Sequence, residues 1–207
     1  MEVVKFFQTG GPFMYPILIV LALGIAIAIE RFLYLSNTHS KTNKVWSQLV
    51  PMLKANDLDR AKKMTESVKT PLALMLSYGF ARLTTSRERD NIEAAMEEGM
   101  MEVMPEMEQR THYLATFANI ATLLGLLGTI IGLIQAFTAV AAADPAEKAD
   151  LLSASISVAM NTTAFGLMAA IPMILMHSYL QTKTARLVDN LEMAAVKCLN
   201  LITSNAS

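Results

Sequence analysis

"MNTTAFGLMAAIP", residues 160–172, sits inside a stretch, 151–182, that holds no Asp, Glu, Lys or Arg. One asparagine, two threonines and a glycine interrupt a run otherwise suited to lipid. Hydrocarbon offers no partner to a polar side chain, so these groups must find one in protein or in a water-lined cavity. The segment therefore reads as a membrane helix whose polar side turns away from lipid. Two further stretches, 6–29 and 111–143, are equally free of charge. Each of the three exceeds the ~20 residues a helix needs to cross a bilayer. The chain of 207 residues is 53% hydrophobic and only 17% charged, below the quarter or so usual in soluble domains. The expectation is an all-α integral membrane protein with three transmembrane helices, the second and third extending into the cytoplasm.

Working outward, the flanks give an orientation. Residues 31–110 carry twelve Lys and Arg, and Lys183, Arg186 and Lys197 follow the last apolar stretch, whereas the opposite flanks hold only Lys5 and Lys148. The positive-inside rule then places the N-terminus outside and the C-terminus in the cytoplasm. Ala26-Ile27-Ala28 resembles a signal-cleavage triplet. The apolar run is long for a signal peptide, however, and Glu2 offsets Lys5, so the segment is expected to stay as a span. The expected layout is an interfacial helix at 1–11, spans at 12–35, 111–142 and 153–180, a cytoplasmic helical region at 36–110, a periplasmic loop at 143–152 and a cytoplasmic C-terminal helix at 181–207.

Within the cytoplasmic region, the polar residues 37–44 read as a linker. Asn56-Asp57 offers an N-cap for a short helix over 58–68, and Thr70-Pro71 breaks the chain before an apolar helix over 72–83. A long helix is expected from Asn91 straight into the second span, with Pro105 as a kink. Met96, Met100, Met104 and Met107 recur at helical spacing as a buried stripe. Glu93, Glu97, Glu98, Glu102, Glu106 and Glu108 share that helix. They read as a solvated face, with Glu106 supporting Arg110, or as an acidic vestibule if copies ring a pore. His39, His112 and His177 lie far apart, Cys198 is a lone cysteine, and no phosphate loop or nucleophile constellation occurs, so nothing points to an enzyme, a metal or a nucleic-acid site.

The second span reads "LATFANIATLLGLLGTIIGLIQAF", residues 114–137. Ala118, Ala121, Gly125, Gly128, Gly132 and Ala136 step by three or four into one stripe of small residues, the kind that lets membrane helices approach closely. Thr122 and Thr129, seven apart, lie beside it. In the third span Ala159, Thr163, Gly166 and Ala170 form a similar stripe, with Pro172 marking a kink. Thr122, Thr129, Thr162, Thr163 and Asn161 are the candidate ion-path residues. Gly125, Gly128, Gly132, Gly166 and Pro172 are the candidate packing residues. The bland alternative has each hydroxyl bonding its own helix. Neither span holds an Asp or Glu, so a titratable group would have to come from another chain.

"GGPFMYPILIVLALGIAIAIERFLYL" (10–35), "LLGLLGTIIGLIQAF" (123–137) and "ISVAMNTTAFGLMAAIP" (156–172), in that order, resemble the MotA/TolQ/ExbB proton channel family, in its three-span ExbB/TolQ branch. The resemblance implies a homopentamer in the bacterial inner membrane around a dimer of a single-span ExbD/TolR-like partner, whose membrane Asp carries the ion. It also implies a TonB-like or TolA-like protein beyond, and ion-path roles for Thr129 and Thr163. Two positions depart from the family: Thr122 stands where Pro is frequent, and Val158 where a Glu is frequent. Protons are the expected ion. The neutral oxygens of Asn161, Thr162 and Thr163 leave sodium as a second reading. A passive membrane scaffold is the competing function, and a secondary transporter is disfavoured because three spans show no inverted repeat.

Overall fold

The computed structural model describes residues 10–204; the interfacial helix expected at the N-terminus falls on residues outside them. Among the described residues every regular element is helical. There are six such elements: α1 Met14–Lys54, α2 Leu58–Ser67, α3 Pro71–Leu83, α4 Arg89–Glu108, α5 Thr111–Ala142 and α6 Lys148–Ser204. Stretches within α1, α5 and α6 are long and apolar enough to cross a membrane.

Local chemistry sets many of the boundaries. Gly11 adopts φ +75°, a turn that only glycine takes without strain, and the Met14 N–H donates to its carbonyl as α1 begins. Asp57 caps α2 by accepting from the Arg60 N–H at 3.2 Å, and Thr70 caps α3 by accepting from Ala73 at 3.2 Å. Pro71 then occupies the first turn of α3, where its missing N–H costs nothing.

Two expectations fail. Residues 37–44 are not a linker, because α1 runs through them to Lys54. Leu35, Thr38, Thr42, Val45, Leu49 and Leu53 are all buried at three- and four-residue spacing, so one seam continues beneath the polar surface residues. Nor does the helix containing Asn91 run on into the second span. It ends at Glu108, and Arg110 takes a left-handed φ of 62° before α5 starts. The buried Arg31 guanidinium, from α1, donates to the carbonyls of Glu106 at 3.1 Å and Met107 at 2.6 Å. A cation thus satisfies the open C-terminal end of α4. Arg110, expected to pair with Glu106, lies 3.9 Å from Glu30.

The chain divides into two compact units. Among the described residues, the first comprises 10–30 and 110–179, and the second 31–109 and 180–204. The first is cored by Ile17, Ala118, Ala121, Ala169, Ala170 and Met173, with Phe117, Leu124 and Phe165 packed against them. The second buries Leu49, Leu72, Leu76, Phe80, Ile92 and Leu191. Its methionine stripe behaves as expected for Met96, Met100 and Met107, while Met104 is half-buried. Pro172 sits inside the unbroken α6.

Candidate functional site

The polar residues of α5 and α6 are organised around one line of close approach within the first unit. A Cβ built on Gly166 would lie 2.7 Å from the Ala121 carbonyl oxygen and 3.0 Å from the Gly125 Cα. One built on Gly132 would lie 3.0 Å from Ala159. At Gly166 backbone meets backbone and only glycine fits, while at Gly132 the close neighbour is the Ala159 methyl. The small-residue stripes of the two helices are therefore the seam that joins them, as lipid-embedded packing requires.

The seam separates the threonines. Successive residues on a helix point about 100° apart. Thr162 falls on one side of the Gly166 line and Thr163 on the other. The Thr162 side faces α1. Its hydroxyl is buried, 2.5 Å from the Gly10 carbonyl and 3.0 Å from that of Val158. Val158 itself reaches to within 3.3 Å of a Cβ built on Gly11. On α5, Gly128 belongs to the same side, facing Thr162 and Phe13.

Thr163 points the other way. Its hydroxyl donates to the Gly125 carbonyl across the seam at 2.8 Å. Thr122 and Thr129 flank Gly125 on the edge opposite Gly128, seven residues and nearly two full turns apart. Thr122 donates to Ala118 at 3.0 Å and Thr129 to Leu126 at 2.6 Å. Thr122 is exposed, and Thr129 and Thr163 are half-buried. The three hydroxyls thus share the side of the α5–α6 pair that α1 leaves uncovered. Each gives its proton to a protein carbonyl, which leaves the hydroxyl oxygen free to act only as an acceptor.

The five residues expected on one path therefore do not stay together. Thr122, Thr129 and Thr163 form one group. Thr162 stands apart from them, its hydroxyl buried against the Gly10 carbonyl on the far side of the seam. Asn161 lies about 160° round α6 from Thr163, so it does not share that face either. The residue the sequence reading missed is Gly10, whose carbonyl holds Thr162 across 152 positions. No local pattern could reveal that contact. Among the described residues no group of His, Cys, Asp or Glu could hold a metal.

Three apolar helices, two of them joined by a glycine seam bordered with hydroxyls, define a polytopic membrane protein built for close helix association. The description of the MotA/TolQ/ExbB proton channel family matches residues 67–193, more than half of the chain, and the chain belongs to that family. A biopolymer transport protein ExbB homologue of Methanothermobacter thermautotrophicus is 28% identical over 193 residues, covering 92% of this chain and 67% of that protein. An ExbB-like biopolymer transport protein of Synechocystis sp. is 25% identical over 169 residues, covering 81% and 80%. The Tol-Pal system protein TolQ of Haemophilus influenzae is 34% identical over 89 residues, covering 43% and 39%.

Proposed function

We propose that the chain is one subunit of an ion-driven motor in the bacterial inner membrane, with its N-terminus periplasmic and its C-terminus cytoplasmic. Five copies surround a dimer of a single-span ExbD/TolR-like partner. Proton flow past the partner's membrane carboxylate moves that partner, which works across the envelope through a TonB-like or TolA-like protein. The observation that carries this reading is the file of Thr122, Thr129 and Thr163 on the side of α5–α6 that α1 leaves open, in spans that contain no Asp or Glu of their own. A wall of hydroxyl oxygens without a titratable group suits a path whose carboxylate is supplied by another chain. One charge crossing 100 mV releases about 2.3 kcal/mol, so a few ions suffice for a mechanical stroke. The burial of Thr162 removes one neutral oxygen from the set that sodium would use, which favours protons.

A passive scaffold is the second reading. The observation in its favour is that every one of the three hydroxyls already bonds a carbonyl of its own subunit, as packing alone would produce. Cysteine scanning separates the two. With Cys198 replaced by Ala, Thr129→Cys in the assembled complex is expected to react with a water-borne thiol reagent, and Ile130→Cys, on the apolar surface, is not. A Thr129→Cys thiol as inert as that at 130 supports the scaffold.

A further inference from the structure

The methionine stripe and two glutamates of α4 lie outside the Thr122, Thr129 and Thr163 group, and together they shape a groove of about 480 Å³ in the second unit. Met96, Met100, Met101 and Met104 of α4 line one wall, and Val196 and Leu199 of α6 the other. Met101 is 71% exposed and Val196 49% exposed. These residues lie outside the charge-free stretches, where a contiguous apolar surface marks a contact site. Methionine walls are polarizable and unbranched, so they adapt to differently shaped apolar side chains.

The charged residues lining this groove are all carboxylates: Glu93 and Glu97, one turn apart on α4, and Glu192 on α6. Arg89 approaches Glu93 at 4.0 Å, but both are nearly half exposed, and such a pair contributes little. Glu98 and Glu102 are engaged elsewhere, where Tyr78 donates to Glu102 at 2.5 Å and the neighbouring carboxylates push the phenol's pKa up. An apolar floor with an acidic rim repels anionic lipid and selects a cationic partner. The short helix α2 carries Arg60, Lys62 and Lys63, but Asp59 and Glu66 offset two of these charges and its inward side is already spent on burying Ala61 and Thr65. A second copy has no free apolar face to offer from that helix.

We propose that this groove binds a basic amphipathic helix of another protein, with apolar side chains laid on the methionines and Lys or Arg paired with Glu93, Glu97 and Glu192. This binding does not depend on ion conduction.

The test uses the full chain in nanodiscs of zwitterionic phospholipid, with empty nanodiscs as the blank. The probe is a fluorescent amphipathic helical peptide of leucine and lysine. Saturable binding that weakens with salt is expected. Met101→Asp combined with Val196→Asp is expected to weaken it by about tenfold or more, as truncating central anchors does. Glu93→Gln, Glu97→Gln and Glu192→Gln together are expected to weaken it and flatten its salt dependence, with helix content by circular dichroism unchanged. Equal binding by the variants, binding of a glutamate-for-lysine peptide, or no binding would overturn the proposal. So would a Met101→Cys variant that forms a disulfide between two copies of this chain, since a second copy would then fill the groove.

Discussion

The two units of this chain solve the same problem with opposite materials. The first has an interior of Ala118, Ala121, Ala169 and Ala170 beside the Gly125–Gly166 contact, and it turns Leu123, Ile134 and Leu175 outward. The second buries Leu72, Phe80, Ile92 and Leu191 and turns its charges outward apart from Arg31, which is buried against the end of α4. Water drives large apolar side chains inward, at roughly 25 cal/mol per Å² buried. Lipid gives no such drive between helices, so close packing of small residues and interhelical hydrogen bonds must hold them together. The residue types inside each unit therefore report its solvent.

The largest effect should come from cutting a large side chain out of the second unit. Phe80→Ala is expected to cost about 4 kcal/mol in denaturant unfolding of the detergent-solubilised protein. Leu123→Ala, on the outside of the first unit, should stay within about 0.5 kcal/mol. Equal losses at the two positions would break the contrast.

Within the first unit, adding volume should be costly where backbone meets backbone. Gly166→Ala drives a methyl into the Ala121 and Gly125 backbone, and an expected loss of about 2 kcal/mol should appear as a lower melting temperature. Gly24→Ala meets only the side chain of Met173, which can swing aside, so its loss should be clearly smaller. Similar losses for both would show that backbone approach is not what the glycines protect. Next in size, Thr163→Val removes the hydrogen bond to the Gly125 carbonyl across the seam and should cost about 1 kcal/mol by the same measurement.

The effect that is smallest near neutral pH concerns Cys198. Burial in the second unit pushes its thiol up to about 12 from an ordinary 9.0. The raised value favours the folded state below pH 9.0, and that contribution is lost as pH climbs toward 12. At pH 8 the folded protein should resist maleimide while the denatured chain reacts readily. Rapid labelling of the folded protein would contradict a tightly closed second unit.

Much of this was legible along the chain. Charge-free stretches marked the apolar helices, Asn56-Asp57 announced one cap and Thr70-Pro71 a break, and the spacing of Gly125, Gly128 and Gly132 foretold the seam. What could not be read depended on contacts remote in sequence. The end of α4 is held by Arg31, 75 and 76 positions away, so residues 91–142 looked continuous. The polar residues 37–44 hid a buried seam whose members included Thr38 and Thr42. Thr162 and Thr163 are neighbours in sequence, and only the position of α1 tells which faces inward.

The central claim is that the hydroxyls on the open side of α5–α6 border the ion path. The most direct measurement is ion flux into proteoliposomes holding this chain with its single-span partner, under proton and sodium gradients in turn. Proton-driven flux that falls in Thr129→Ala and Thr163→Ala, while Thr162→Ser keeps it and all three variants assemble, is the expected result. Flux unchanged in both alanine variants, or absent from the intact complex, would contradict it.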